Sequence, residues 1–136
     1  MAKLTLAAAR EEEMSSFVVK PLYYALGIAL TLVVFPEKIG DSAIIILTIG
    51  DGLAALFGAA NGRTPIPYNV SKTIEGSLIG FASAFLVACL FVSVPIALLG
   101  AITGGLVESR DRLIDDNLSV PLISGFAMWV MILVGL

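Results

Sequence analysis

Asp51 stands inside an apolar run, ILTIGDGLAALFG at 46–58, and a carboxylate placed there is costly unless something polar faces it. The polar stretch that follows holds Asn61, Arg63, two prolines and Asn69, and it leads to Lys72 and Glu75 at the mouth of the next apolar run. One short piece of chain therefore joins a carboxylate in apolar surroundings to a cationic loop, a pairing that suits a metal and a phosphate. A second acidic cluster, ESRDRLIDDN at 108–117, follows later. Asp51 together with Asp115, Asp116 or Glu108 has the oxygen donors for magnesium, which takes one or two carboxylates and completes its shell with substrate phosphates. Arg63 can bind phosphate as a bidentate fork and Lys72 as a point charge. Helix N-termini ahead of the third and fifth apolar runs would add free N–H groups and a favourable dipole. Each residue also has a plainer reading: Arg63 and Lys72 as topology markers, Glu75 as a charge on a helix dipole, and Asp116 or Asn117 as an N-cap ahead of Pro121.

The elements that must position these residues are membrane helices. The chain has 136 residues, 58% hydrophobic and 14% charged, with a mean hydropathy of +0.99. That is well above the roughly 45–50% apolar content of a soluble domain. The expected fold class is all-α: a polytopic bundle in one membrane domain, 1–136, of about five transmembrane helices. A polar lead-in covers 1–16, and the spans fall at about 17–35, 40–60, 74–92, 94–107 and 118–136. Asp41 reads as an N-cap at the start of the second span, whereas Asp51 lies ten residues before Asn61, roughly 15 Å along a continuous helix. Gly50 and Gly52 make a local break there plausible, with Asp51 facing an internal polar cavity. Gly76 with Gly80, and Gly100 with Gly104, have the spacing that lets helices approach closely. Lys20, Tyr23 and Tyr24 read as anchors at the headgroup level.

Alternation of five spans tests this arrangement. With the amino terminus in the cytoplasm, Lys3, Arg10, Lys20, Arg63, Lys72, Arg110 and Arg112 all fall inside and only Lys38 falls outside, as the positive-inside rule requires. The loop from Asn61 to Thr73 and the loop from Glu108 to Asn117 then share the cytoplasmic face with the lead-in and its Glu11, Glu12 and Glu13. A net charge of -3 adds little. There is no histidine, which removes histidine triads and zinc-hydrolase motifs, and the single Cys89 reads as a packing residue. GDGLAA at 50–55 matches a dinucleotide fingerprint in letters alone, since it lacks the preceding strand and βαβ unit. GAANGRT at 58–64 is one residue short of a phosphate-binding P-loop and has Arg63 where that loop has lysine.

Three blocks carry a more specific likeness. GDGLAALFGAANGR, SKTIEGSLIGF and LVESRDRLIDDNLSVPL resemble, in order, the signature blocks of the dolichol kinase, phytol kinase and CTP-dependent diacylglycerol kinase family of membrane lipid kinases. The first two are also similar to the carboxy-terminal motif of phosphatidate cytidylyltransferases, where a Gly-Asp pair and a Lys-Thr-x-Glu-Gly stretch serve CTP and magnesium. IDDNLSVPL at 114–122 is similar to the kinase branch. The resemblance covers about residues 10–136, and it implies a chain that begins in the middle of the family's usual length.

It further implies a CTP-dependent kinase of a membrane lipid alcohol, with a polyprenol-like or dolichol-like isoprenoid favoured over diacylglycerol and magnesium as cofactor. Asp51 would then be a magnesium ligand or a base. Lys72 and Arg63 would hold the triphosphate, with Asn61 and Thr73 beside the nucleotide and Glu75 in the catalytic group. Glu108, Asp115 and Asp116 would serve the metal, and Asn117 the nucleotide. The partners expected are the nucleotide, the lipid and the bilayer, with homo-oligomerisation open and no nucleic acid. Three alternatives stand beside this: a cytidylyltransferase acting on a lipid phosphate, a small ion or solute carrier using Asp51 on a broken helix, and a non-catalytic membrane subunit.

Overall fold

The computed structural model describes residues 2–110 and 114–135, with side chains from Met14 onward except Ser16. Arg112 and the side chains of Lys3, Arg10 and Glu11–Glu13, used above in the topology argument, lie outside the described residues.

Among the described residues five helices make the bundle: α1 (Ala2–Val34), α2 (Glu37–Asn61), α3 (Ile74–Ala88), α4 (Val94–Ser109) and α5 (Asp116–Val134). Three of them contain windows long and apolar enough to cross a membrane, Phe17–Val34, Glu37–Asn61 and Asp116–Val134, whereas α3 and α4 are shorter. At 15 residues, α3 is about 22 Å long, less than a hydrocarbon core of roughly 30 Å. Apolar side chains such as Phe17, Val33, Leu86, Leu90 and Leu133 face outward, as expected of a membrane protein, whose surface meets lipid.

Several boundaries differ from the sequence reading. The lead-in and first span are one helix that runs through Pro21. Pro36, with φ -54° and ψ 148°, stands at the N-cap of α2 and starts that helix at Glu37. Asp41 is therefore inside the helix and is not its cap. Within α2 the residues Ile46–Asp51 form a π-helical segment between α-helical stretches Glu37–Ile45 and Gly52–Asn61. The break expected beside Asp51 does not occur: the backbone widens into a π-helical turn there and α2 stays continuous. Wide turns of this kind are common at functional sites.

The middle of α2 sits at the centre of the bundle. Ile39, Ala43, Ile46 and Leu47 pack with Phe35, with Ala84 and Ala88 of α3, with Ile96, Ala97 and Val107 of α4, and with Val120 and Met128 of α5. Trp129 meets Phe35 edge-on, with ring centroids 6.0 Å apart. Cys89 packs against this core as expected. In a bilayer, helices gain little from hydrophobic burial and depend on close packing, and the glycines permit it. A β-carbon on Gly76 would come within 2.9 Å of Gly58 Cα, and one on Gly80 would press on Ala54 and the carbonyl of Gly50. Gly100 and Gly104 likewise face Met128 and Ile46. Buried hydroxyls bond within their own helices, Thr31 to the Gly27 carbonyl and Ser124 to that of Val120, both at 2.7 Å. Among the described residues no buried side-chain polar atom lacks a partner.

The loop between α2 and α3 is more ordered than a polar loop. Pro65–Ile66 (β1) and Asn69–Thr73 (β2) form a two-stranded antiparallel ribbon, with Pro65 opposite Thr73 and Ile66 opposite Asn69. Pro65 and Pro67 favour extended backbone around the buried Ile66, so the segment pairs with its own return.

Candidate functional site

The ribbon exists in a fixed place because both of its ends are tied. At one end the carboxylate of Glu75, in the first turn of α3, accepts hydrogen bonds from the backbone N–H groups of Arg63 and Thr64, both at 3.2 Å, and from Thr64 Oγ1 at 2.7 Å. At the other end the phenol of Tyr68 donates to Ser109 Oγ, and Asn69 Nδ2 donates to the Ser109 carbonyl, each at 3.2 Å. Ser71 then donates to Asn69 Oδ1 at 2.6 Å. Thr73 caps α3, its Oγ1 accepting from the Gly76 N–H at 3.2 Å. Lys72 lies between Ser71 and Thr73, so the same bonds that hold the ribbon aim its ammonium into the bundle.

Three carboxylates meet that ammonium. Lys72 Nζ is 3.2 Å from Glu108 Oε1, 3.3 Å from Asp116 Oδ2 and 4.0 Å from Asp51 Oδ1. Glu108 comes from the last turn of α4, Asp116 from the first turn of α5 and Asp51 from the end of the π-helical turn in α2. The first block therefore supplies Asp51, the second Lys72, and the third both Glu108 and Asp116. Exposure ranks the acids: the side chain of Glu108 is 10% accessible, Asp116 31% and Asp51 48%, around a lysine at 22%. With three acids about one ammonium the cluster carries two unbalanced formal negative charges, and Asp51 is both the most open and the least tightly paired.

Two cavities border the cluster. One, of about 250 Å³, is lined by Asp51, Glu108, Lys72, Thr73, Ser71 and Ser77 with the small residues Ala54, Ala55, Gly58 and Ala59. Asp51 therefore does face a cavity, one with charged and hydroxyl groups among small apolar residues, so it is mixed where a polar one was expected. The other, of about 300 Å³, is walled by Lys20, Lys72 and Arg110 together with Asn69, Ser71, Asp115 and Asp116. Glu108 and Ser77 also border a third, more apolar groove between α3 and α4.

The remaining expected site residues fall as follows. Asp115 is the N-cap of α5, accepting from the Asn117 N–H at 2.9 Å, so the cap lies one residue before the Asp116 or Asn117 considered from sequence. That phase leaves Asp116 in the first turn, where the helix dipole favours its charge and its side chain reaches Lys72. Asn117 contributes its backbone to this cap. Asn61 ends α2 and Arg63 follows in the loop, and neither lines the two cavities beside Lys72. Glu75 lines neither cavity and holds the loop. Lys20 and Arg110 are the residues that sequence reasoning left out of the site. Both are cations at the ends of apolar runs on the same predicted side as Lys72, which was the available signal, and anchoring or topology accounted for them.

The loop-holding geometry gives an expected outcome for Glu75→Gln. The amide keeps one acceptor oxygen, so any reaction the site carries should slow by no more than about tenfold while the ribbon becomes easier to cleave, because the bonds to a charged acceptor are weakened and not all lost. Limited proteolysis of residues 62–73 beside a rate measurement checks this. A loss of about a thousandfold with an intact ribbon would put Glu75 in the chemistry itself.

Magnesium is compatible with the donors present. Among the described residues no group of three or more acids is arranged to hold a metal ion alone. A magnesium ion that arrives with phosphate oxygens, however, needs only one or two carboxylates, and Asp51 and Glu108 share a cavity.

No protein family model matches the chain, and no solved structure does. Among curated proteins, the probable phytol kinase 1, chloroplastic, of Glycine max is 30% identical over 138 aligned positions, covering 88% of this chain and 46% of that protein. The probable phytol kinase 3, chloroplastic, of Glycine max is 34% identical over 122 positions, covering 76% and 38%. Phytol kinase 1, chloroplastic, of Arabidopsis thaliana is 29% identical over 147 positions, covering 93% and 48%. The chain spans about half the length of these relatives, or somewhat less. In line with the resemblance read from the three sequence blocks, the chain is similar over most of its length to proteins named phytol kinase.

Proposed function

We propose that this chain carries the catalytic site of a kinase that phosphorylates the hydroxyl group of an isoprenoid lipid alcohol, with CTP as donor and magnesium as cofactor. The observation that supports it best is the convergence on Lys72 of one or more acids from each of the other two sequence blocks. Homology to phytol kinases supports the lipid alcohol as acceptor, and the resemblance of the blocks supports CTP.

In this reading the cavity walled by Lys20, Lys72 and Arg110 takes the nucleotide phosphates; Asp115 and Asp116 line it too, so the three cations would offset phosphate charge together with the magnesium ion that the phosphates bring. Asp51 and Glu108 would hold magnesium together with phosphate oxygens, and the ion would neutralise charge on the transferred group. The lipid hydroxyl oxygen forms a bond to the γ-phosphorus as the bond from that phosphorus to the β–γ bridging oxygen breaks. Lipid phosphate and CDP leave, and the hydroxyl proton passes to a carboxylate of the cluster. A loose phosphoryl transition state asks mainly for positioning and charge neutralisation. Lys72, held by the ribbon on one side and by two acids within 3.3 Å on the other, is pre-set for both. The bundle is multi-pass, with this end on the cytoplasmic face.

The test is a mixed-micelle assay of the purified chain with magnesium, γ-labelled CTP and a panel of phytol, a polyprenol and diacylglycerol, with ATP and UTP as alternative donors. Label in an isoprenoid phosphate with release of CDP is the expected result. Release of pyrophosphate would make the chain a cytidylyltransferase. No transfer from any donor by folded protein would sink the kinase reading for this chain.

A further inference from the structure

The third cavity lies beside the cluster, between α3 and α4. It measures about 290 Å³; Leu78 and Phe81 of α3 with Ile102, Gly105 and Leu106 of α4 make its apolar wall, and Tyr68 and Ser109, hydrogen-bonded to each other, add a polar edge. Leu78, Ile102 and Leu106 are 61%, 41% and 57% exposed, so the groove opens to the lipid-facing surface. The side toward the cluster is different in kind. Ser77 and Glu108 line both this groove and the polar cavity at Lys72. An apolar trough that opens sideways and ends on a polar wall shared with the charged cluster matches an amphiphile with one hydroxyl and a hydrocarbon tail.

We propose that this groove seats the first carbons of the lipid alcohol, hydroxyl inward toward Glu108 and tail outward into the bilayer, and that Gly105 sets how bulky that part of the tail can be. The proposal rests on the kinase reading for what happens at the hydroxyl, and on the groove alone for where the lipid lies. Its size is at the bottom of the ~300–1,000 Å³ range of small-molecule sites, so it grips the head of a long chain and leaves the remainder in lipid. Gly105 controls the space because it is not needed for helix packing. Gly76, Gly80, Gly100 and Gly104 all press on neighbouring atoms, but a β-carbon on Gly105 would meet nothing closer than Phe81 Cδ2, at 3.9 Å. A larger side chain there enters the groove and leaves the backbone where it is. A saturated, unbranched head and a methyl-branched isoprenoid head differ in width at this point, and the glycine leaves room for the branched class.

The experiment is photolabelling of the purified full chain in micelles by a diazirine analogue of phytol, with peptide mapping, done beside the transfer assay. Label is expected on the groove segments 77–81 and 102–106, competed by excess phytol and not by excess phosphatidylcholine. Gly105→Phe should reduce it at least fivefold. The same variant should raise KM for phytol at least tenfold and leave KM for the nucleotide within twofold. Ile102→Trp, on the open wall, is a second variant with the same expected direction, and it serves if Gly105→Phe does not fold. Label on other helices, label insensitive to both variants, or label displaced equally by phosphatidylcholine would overturn the groove assignment. Specific labelling without any transfer in the wild type would instead leave the groove in place and remove the kinase reading.

Discussion

Lys72→Met is expected to lower the transfer rate by about 10²–10³-fold, the usual cost of deleting one preorganised group that stabilises transition-state charge. The ammonium faces both cavities beside the cluster, so it is placed to meet phosphate oxygens as well as the acids. Its loss should also weaken the bundle. Glu108, at 10% accessibility, would be left almost out of water with Asp116 and Asp51 nearby. Breaking a fully buried pair costs about 3–5 kcal/mol. Lys72 and Asp116 keep some contact with solvent, so about 1–3 kcal/mol is the expected loss here. The double variant Lys72→Met/Glu108→Gln separates the two effects, since removing the most buried acid should restore roughly half of the lost stability and none of the activity. Rate assays and thermal unfolding in detergent measure both. A Lys72→Met protein with wild-type kcat would mean the ammonium only neutralises the acids, and the cluster would then be structural.

This cluster was partly legible in the sequence, for physical reasons. An acid among apolar residues has to be accounted for, which isolates Asp51. Helices that alternate sides bring the loop after α2 and the loop after α4 to one end of the bundle, which brings Lys72 within reach of the acidic stretch. Which acids would arrive was not legible. Asp115, Asp116 and Asn117 are equally good caps by type, and the cap falls on Asp115, so that a phase difference of one residue decides that Asp116 reaches Lys72. Glu108 was one metal candidate among four, and its place at the end of α4 depends on where that helix stops.

The π-helical turn has a similar origin. A single widened turn leaves no repeating pattern, and Gly50 and Gly52 marked only where the backbone could depart from regularity. Thr48, whose hydroxyl donates to the Ile44 carbonyl at 2.9 Å, lies inside that turn and is unremarkable by type. The ribbon was missed because Asn69, Ser71 and Thr73 read as loop residues, whereas the side chains of Asn69 and Thr73 hold it to α4 and α3 and Ser71 bonds Asn69 within it. Arg63 and Lys72 looked alike from sequence. The fold separates them by pinning the backbone of Arg63 to Glu75 and carrying Lys72 nine residues onward to the centre of the acids.

Asp51→Asn should give the cleanest separation of catalysis from stability. Its carboxylate is 4.0 Å from Lys72 and 48% accessible, a loose and well-hydrated pair of the kind that contributes about 0–1 kcal/mol. Asparagine has nearly the same shape, so the close approach of α2 and α3 beside it is undisturbed. Unfolding behaviour should therefore stay near wild type, while the transfer rate falls by about 10³-fold or more as the cluster loses its most open charge. The dependence on magnesium tells the two proposed roles of Asp51 apart. If it holds the ion with the nucleotide phosphates, half-saturation should move to at least about tenfold higher magnesium, because one of only one or two protein ligands is gone. If it takes the hydroxyl proton, the rate should collapse with the magnesium requirement unchanged. Asp116→Asn makes the comparison sharper. That residue contacts Lys72 directly at 3.3 Å, so its loss should reduce stability and rate together. An Asp51→Asn protein that turns over normally at every magnesium concentration would remove Asp51 from the mechanism, and the first sequence block would then have to be explained by the packing of Gly50, Ala54 and Gly58 against α3 alone.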